Sequence, residues 1–250
     1  MNDKTEKEAD FGYKKVNPNE KPDLVKGVFD SVANKYDLMN DLMSVGIHRL
    51  WKKATVQMSN LKENDTVLDV AGGTGDLAIL FSEIVGERGK DFLSDINEKM
   101  LEIGRDRVLD SGLLNVKTLV ADAEDLPFPD NSFDCISIAF GIRNVTNKDK
   151  ALKEFNRCLK PNGRLLVLEF SKPESSLVSD LYDLYSFNVL PHLGQWIAGD
   201  SDSYEYLAES IRMHPNQKEF LKLMEDAGFV NTAYQNMTGG IVALHYGDKS

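Results

Sequence analysis

Cysteine, long apolar runs and positive charge are all scarce in this chain of 250 residues, and each scarcity excludes a class of protein. The two cysteines, Cys135 and Cys158, have no partners at metal-ligand spacing, so the sequence predicts neither a disulfide scaffold nor a zinc site. No apolar run approaches the roughly 18 residues that a membrane-spanning helix needs. The first residues are charged and carry no apolar segment, so we expect no secretion signal and a cytoplasmic protein.

The shortage of positive charge also limits the partners of the protein. There are 29 lysines and arginines against 40 acidic residues, which gives a formal net charge of −11. A field of that sign repels phosphate backbones, and the sequence therefore predicts no nucleic-acid partner. Hydrophobic residues make up 42% of the chain, an ordinary share for a globular protein.

The middle of the chain alternates strand-like and helix-like patterns. Short apolar runs predict strands at 66–71, 91–95, 116–120, 133–139 and 164–170, with helices at 76–85, 97–110 and 148–159. A helix at 216–227 precedes two last strands, at about 230–237 and 241–246, joined by a glycine turn. This order predicts a Rossmann-like, doubly wound α/β fold with a mostly parallel seven-stranded sheet that ends in an antiparallel hairpin.

Three further segments differ from this alternating core. Residues 1–26 mix acidic and basic residues with few apolar ones, which predicts a flexible N-terminal tail. Residues 27–250 are expected to form one domain. Within it, the apolar spacing at 27–58 predicts a helical lid, and the aromatic-rich segment 178–213 predicts a helical insert on the substrate side.

A glycine-rich loop follows the first predicted strand, at residues 69–76 (Asp-Val-Ala-Gly-Gly-Thr-Gly-Asp). Gly73 and Gly75 allow backbone N–H groups to approach a ligand at the start of a helix, so we expect both to contact a cofactor. Asp95 ends the next strand, about 20 residues further on, where a carboxylate can accept hydrogen bonds from a ribose diol. The loop also fits the dinucleotide pattern G-x-G-x-x-G/A, so an NAD-dependent reductase is one alternative.

Two acidic positions favour a cationic nucleoside over NAD. Asp69 lies in the loop itself, where its carboxylate suits an amino group or a cation and would repel a pyrophosphate. Asp122 ends the third strand and is followed by Ala123. A carboxylate there can accept from the adenine amino group while apolar neighbours cover the ring; the alternative for Asp122 is a loop carboxylate without a ligand.

Several tracts carry a resemblance to known families. The tract 126–134 (Leu-Pro-Phe-Pro-Asp-Asn-Ser-Phe-Asp), with 159–164, resembles class I S-adenosylmethionine-dependent methyltransferases. Four further motifs are similar to the ubiquinone/menaquinone biosynthesis C-methyltransferase family; they lie at 35–44, 46–52, 140–145 and 206–212. The resemblance runs from about Phe11 to the C-terminus.

The resemblance implies a reaction and a set of cofactor contacts. Members of that family use S-adenosylmethionine to methylate a ring carbon of a prenylated quinol, either demethylmenaquinol or 2-methoxy-6-polyprenyl-1,4-benzoquinol. By position, Thr74, Asp95, Asp122 and Ala123 match the family's cofactor contacts. Ala139 departs from the pattern, since we expect a serine there. An alternative of another class is a cofactor-binding subunit without its own catalysis that scaffolds a quinone-synthesis complex.

Arg143 and Asn144 are the candidate catalytic residues, because they follow the fourth strand at the carboxyl end of the sheet. Arg143 would stabilise a phenolate or orient a water while Asn144 fixes the ring; the alternative for Arg143 is a structural clamp on a carboxylate or loop carbonyl. Tyr36 would reach the cofactor from the lid, or else belongs only to the lid's apolar stripe. For His48 we expect a solvated helix face, and for His192 a packing role.

The implied substrate resides in a bilayer, so we expect the protein to meet it there. Residues 26–53 hold five basic residues against three acidic ones, interleaved with apolar residues. This pattern predicts transient contact with a membrane surface and peripheral localisation on its inner face; a lid packed on the sheet is the alternative. The aromatic residues of 181–197 suffice to line a tunnel for the prenyl tail, and their number also favours a homodimer through the insert.

Overall fold

A computed structural model of the chain describes residues 8–173 and 201–250. The strands are β1 (Ala9–Phe11), β2 (Lys14–Val16), β3 (Thr66–Val70), β4 (Lys90–Asp95), β5 (Val116–Val120), β6 (Phe133–Ala139), β7 (Leu159–Phe170), β8 (Phe229–Met237) and β9 (Val242–Lys249). The α-helices are α1 (Lys21–Val32), α2 (Tyr36–Ser44), α3 (His48–Gln57), α4 (Asp76–Val85), α5 (Glu98–Asp110), α6 (Lys148–Cys158), α7 (Ser201–Met213) and α8 (Gln217–Asp226). Short 3₁₀ turns cover Ala33–Lys35, Ile142–Asn144 and Thr238–Gly240.

The main sheet confirms the predicted fold. In the described residues it has seven strands in the order β5-β4-β3-β6-β7-β9-β8. The pairs among β5, β4, β3, β6 and β7 are parallel, whereas β9 runs antiparallel to both β7 and β8. The last strand of the chain thus lies inside the sheet and the strand before it forms the edge.

Helices cover both faces of the sheet, so consecutive residues of its central strands are buried. Val67 and Leu68 are neighbours in β3 that point to opposite faces, and both are fully buried. One face packs against apolar residues of α3, α4 and α7, and the other against α6 and α8. The carboxyl ends of β3, β4 and β6 are therefore held at one edge of a rigid sheet.

Residues 8–26, predicted as part of a flexible tail, are folded in the structure. Strands β1 and β2 pair antiparallel, and α1 already begins at Lys21. The hairpin packs on α7, where the Phe11 ring stacks on Tyr206 at 4.3 Å and the Tyr13 N–H donates to Glu209 Oε2 at 3.0 Å. Local composition does not reveal this segment's structure because its partners lie almost 200 residues further along the chain. The division into tail and domain remains a prediction.

The predicted lid contains helices α1, α2 and α3, separated by the turn at Ala33–Lys35 and by a left-handed residue at Val45 (φ 51°). Of the predicted insert, 178–213, only α7 is described. The prenyl tunnel at 181–197, the dimer contact and His192 lie outside the described residues. None of the helices in 8–173 and 201–250 is long and apolar enough to cross a membrane.

Gly104 provides a test of how tightly the glycine loop is packed. A Cβ added at this position of α5 would lie 2.5 Å from the Gly73 carbonyl oxygen and 2.9 Å from Leu93 Cδ2. Although alanine is the better helix former, we expect Gly104→Ala to lower the free energy of unfolding by about 1–3 kcal/mol through overpacking.

Gly27→Ala is the matched control in α1, because a Cβ there has nothing within 4 Å. It should raise the free energy of unfolding by up to about 1 kcal/mol. Urea denaturation followed by circular dichroism measures both values. Equal effects of the two substitutions would contradict the described packing.

Candidate active site

A cleft opens between helix α1 and the carboxyl ends of β3, β4 and β6. About 850 Å³ of empty space lies within it, a figure that includes the part open to solvent. Its walls are α1, the start of α2, the glycine loop after β3, and the segments 121–124 and 140–146. This is the edge at which doubly wound sheets bind ligands.

The glycine loop has the backbone that the sequence predicts. Gly73 and Gly75 both have positive φ, 55° and 83°, which strains any residue with a side chain. Gly75 directly precedes α4, and a Cβ on Gly73 would approach Met100 Cε to 3.1 Å. Gly73 lines the cleft, whereas Gly75 lines neither cavity, and their N–H groups donate to Asp95 Oδ2 and to the Gly72 carbonyl, respectively.

Asp95 lines the cleft with its carboxylate fixed by two backbone groups. The Gly73 N–H donates to Oδ2 at 2.9 Å and the Asn97 N–H donates to Oδ1 at 2.8 Å. Each oxygen keeps a second lone pair that can accept from a hydroxyl. Burial raises the pKa of Asp95 to about 6 against the opposing effect of these N–H groups, so the carboxylate is ionised at neutral pH.

The next strand brings Asp122 and Ala123 to the same cleft. Asp122 is exposed at the rim, and its Oδ1 accepts from the Glu124 N–H at 2.9 Å. Ala123 is buried, and the side chain of Met100 faces the same cavity. The arrangement offers a carboxylate edge beside an apolar surface, which is the environment predicted for an adenine ring.

A smaller cavity of about 280 Å³ adjoins the cleft; Tyr36 lines both. Asp69 lines the small cavity and is 1% exposed. The Ser137 hydroxyl donates to Asp69 Oδ1 at 2.8 Å, while Oδ2 has no hydrogen-bond partner among the described residues. Burial raises the pKa of Asp69 to about 7, against the opposing effects of Ser137 and Lys52. A buried carboxylate with an unused oxygen is suited to a cationic ligand.

The small cavity is also lined by Ala139, where a serine was expected, and by the ion-paired residues Lys52 and Asp76. Thr74 and Ala139 both line it, so the methyl group of Ala139 stands where a serine hydroxyl was expected. Lys52 contacts Asp76 at 2.7 Å. Burial alone would raise the pKa of Asp76, but Lys52 and Arg107 outweigh it and lower that pKa to about 2. Asp76 therefore stays ionised and holds Lys52 beside the loop.

Tyr36 lies where the two cavities meet, at the start of α2. Its ring is 6.1 Å from that of Phe29, and burial raises the pKa of its hydroxyl. The structure thus places Tyr36 both in the lid's apolar stripe and against the ligand space, so the two predictions for this residue are compatible.

Arg143 lies in the structural clamp that was its alternative prediction. Its guanidinium Nη1 donates to Glu169 Oε1 at 2.9 Å and also bonds the Phe140 carbonyl. The Arg143 backbone N–H donates to Glu169 Oε2 at 3.3 Å, and the residue is not part of the cleft wall. Arg143 therefore fixes the turn behind the cleft.

Asn144 lies in the cleft wall itself. The Tyr206 hydroxyl donates to Asn144 Oδ1 at 2.9 Å. Behind the turn, Lys148 Nζ donates to the carbonyls of Arg143 and Val145 at 3.3 and 3.2 Å. Sequence reasoning missed Tyr206 and Lys148 as site residues; Tyr206 was visible only as part of the motif at 206–212.

His48 is buried, and the expectation of a solvated position is wrong. Its Nε2 lies 3.0 Å from Asp41 Oδ1, and its exposed fraction is 3%. Burial and the nearby Lys52 lower its pKa, so the ring is neutral at physiological pH. His48 is buried within the lid, at the start of α3, and is not part of either cavity wall.

The model of the ubiE/COQ5 methyltransferase family matches residues 14–249. The chain belongs to this family. It is 60% identical to a curated ubiquinone/menaquinone biosynthesis C-methyltransferase from Idiomarina loihiensis, over all of both chains. A second curated protein of that name, from Teredinibacter turnerae, is 61% identical over 96% of this chain and 97% of its own length.

Solved structures agree with the fold. An S-adenosylmethionine-dependent methyltransferase from Aquifex aeolicus superposes with a TM-score of 0.62 at 24% identity, covering 86% of this chain and 98% of that one. Phosphoethanolamine N-methyltransferase 2 from Haemonchus contortus, in complex with S-adenosylmethionine, gives 0.60 at 17% identity, covering 80% and 52%. These likenesses show a methyltransferase fold.

The methyl donor of this chain is S-adenosylmethionine, and the cleft fits it. The carboxylate of Asp95 suits a ribose, and the unused Oδ2 of Asp69 suits the positive charge at the other end of that cofactor. NAD, which the glycine pattern left open, would bring a pyrophosphate toward the Asp69 carboxylate. In 8–173 and 201–250 no group of three metal-ligating side chains occurs that could hold an ion.

Asp95→Asn tests the proposed ribose contact. The Nδ2 amino group of the asparagine would face the N–H of either Gly73 or Asn97. Both of these facing donors would then lack an acceptor. A loss of about 1.4–2.8 kcal/mol, or roughly 10- to 100-fold in affinity for S-adenosylmethionine, is expected by titration calorimetry.

Asp122→Asn is the control, because an amide oxygen can also accept from the adenine amine. Its affinity should stay within about threefold of the unsubstituted protein. If Asp95→Asn bound the cofactor as tightly as Asp122→Asn, Asp95 would not be the residue that hydrogen-bonds the ribose.

Proposed function

We propose that this chain transfers a methyl group from S-adenosylmethionine to a ring carbon of a prenylated quinol in ubiquinone and menaquinone biosynthesis. The observation that carries the proposal is identity near 60%, over the whole chain, to curated C-methyltransferases of that pathway. The cleft supports it, since one wall suits the cofactor and the other carries a polar turn.

The cofactor wall is assigned from the groups that line it. Asp95 would bind the ribose beside Gly73, and Asp122 and Ala123 would contact the adenine. Asp69, Thr74 and Tyr36 would face the methionine end from the small cavity. S-adenosylmethionine supplies an electrophilic methyl group when it is bound there.

The acceptor wall is the turn at Gly141–Thr146. A quinol carbon becomes nucleophilic when its hydroxyl loses a proton, since the phenolate raises electron density on the ring. Asn144 faces the cleft and can hydrogen-bond a ring oxygen, whereas Arg143 acts from behind by fixing the turn through Glu169. The ring carbon would gain the methyl group, with S-adenosylhomocysteine as the leaving group, and would then lose its proton to water or a side chain.

Labelled S-adenosylmethionine provides the test of this function. The purified protein is incubated with reduced demethylmenaquinone or, separately, with reduced 2-methoxy-6-polyprenyl-benzoquinone. We expect label on a ring carbon of at least one quinol and none on the oxidised quinones, which have no hydroxyl to ionise.

Failure of this assay would separate the alternatives. No transfer to either quinol, with cofactor affinity intact, would contradict the proposal and favour the scaffolding subunit of a quinone-synthesis complex. Enhanced NADH fluorescence on mixing would favour the NAD-dependent reductase.

We also propose that the lid contacts the inner face of a membrane whose surface is anionic. Leu38, Val45 and Leu50 are 41%, 79% and 65% exposed along α2 and α3. Arg49, also exposed, lies beside Leu50 and ion-pairs with Asp41. Residues 26–53 nevertheless hold five basic residues against three acidic ones. An excess of basic charge among exposed apolar side chains is characteristic of interfacial helices, and a prenylated substrate would reside in the membrane.

Leu50→Gln should lower partitioning onto vesicles of anionic phospholipid at least about fivefold. The reason is that one leucine side chain that would be buried in the bilayer is lost. Leu114→Gln is the matched control, because Leu114 is 90% exposed in the loop between α5 and β5, outside the lid. Co-sedimentation measures both variants. If neither substitution changes the bound fraction, the lid is not the contact.

Sedimentation velocity tests the homodimer predicted for 178–213.

A further inference from the structure

We propose that Tyr206 is a positioning residue whose hydroxyl sets the orientation of the Asn144 amide, so that the Nδ2 amino group is offered to the quinol. The inference rests on the proposed function and names the group that contacts the quinol oxygen. It assigns a role to a side chain of α7 that is not part of the cleft wall.

An asparagine side chain can present either its oxygen or its amino group to a ligand, because a half-turn of the amide exchanges them. In this structure the Tyr206 hydroxyl donates to Asn144 Oδ1 at 2.9 Å. With Oδ1 turned toward α7, the amino group is the polar end that Asn144 can direct to the cleft it lines.

Tyr206 is itself held firmly. Its ring stacks on Phe11 with 4.3 Å between centroids and 23° between planes, and its exposed fraction is 6%. Burial raises the pKa of its hydroxyl to about 12, so the proton stays on Tyr206 and is donated. The Tyr13 N–H, bonded to Glu209 on the same helix, keeps the hairpin that carries Phe11 in place.

The backbone beneath Asn144 is equally fixed. Glu169 holds the Arg143 N–H, and Lys148 holds the carbonyls of Arg143 and Val145. Lys21 Nζ reaches the Val145 carbonyl from α1 at 3.4 Å. Since main-chain groups on both sides of Asn144 are engaged, amide rotation is the freedom that Tyr206 removes.

The orientation matters for the chemistry of the acceptor. An N–H donor beside a quinol oxygen favours its ionised form, whereas an amide oxygen would repel the developing charge. Because only the ionised form activates the ring carbon, the Tyr206 hydroxyl would act on the chemical step and leave cofactor binding unchanged.

Tyr206→Phe removes the hydroxyl and keeps the ring that stacks on Phe11. We expect kcat for quinol methylation to fall roughly tenfold or more, the pH profile of kcat to move to higher pH, and cofactor affinity to stay within about twofold. Tyr234→Phe on β8 is the matched control, and its kcat and pH profile should be unchanged.

A double-mutant cycle distinguishes positioning from packing. If Tyr206 acts through Asn144, adding Tyr206→Phe to Asn144→Ala should have no further effect on kcat. Asn144→Asp, which keeps the bond from Tyr206 but replaces the amino group by oxygen, should be less active than Asn144→Ala.

Several results would overturn the inference. They are an unchanged kcat and pH profile in Tyr206→Phe, additive losses in the cycle, loss of folding or cofactor binding in Tyr206→Phe, or an Asn144→Asp variant as active as Asn144→Ala. Failure of the proposed function itself is different, because the unsubstituted protein would then transfer no label to either quinol.

Discussion

A buried ion pair between Arg143 and Glu169 is the constraint from which the acceptor side of the cleft is built. Burying two charges is costly unless hydrogen bonds compensate. Here Glu169 also receives the Arg143 N–H and guanidinium Nη1 bonds the Phe140 carbonyl, whereas Nε has no partner among the described residues. These bonds fix a turn at the carboxyl end of β6. Asn144 can face the ligand space because its neighbour is anchored behind it.

On the side of the cleft assigned to the methyl donor, a carboxylate is likewise held in place by hydrogen bonds. Asp95 is held by the N–H groups of Gly73 and Asn97, so the carboxylate needs no rearrangement to accept a ribose. Between the two sides, α1 and Tyr36 cover the cleft, and Lys21 joins α1 to the acceptor turn. The Lys21 hydrogen bond therefore connects α1 with the turn that carries Asn144.

The sheet could largely be predicted from sequence because each buried strand is a short apolar run between turn residues. The position of β9 inside the sheet also has a local cause, since Val242, Ala243 and Leu244 form an apolar run whereas β8 (Phe229–Met237) mixes apolar residues with asparagine, threonine and glutamine. The hairpin at 9–16 could not be predicted, because its partner lies 196 residues away. Residue type likewise cannot tell whether Arg143 faces a ligand or the buried Glu169, which follows 26 residues later.

We propose that one cleft holds the methyl donor on Asp95 and the quinol on the turn at Asn144. A crystal structure of the chain with S-adenosylhomocysteine and a reduced short-chain quinol tests it most directly. We expect the ribose hydroxyls on the Asp95 carboxylate and a quinol oxygen against Asn144 Nδ2. A ribose bound away from Asp95, or a quinol bound outside the cleft, would contradict the claim.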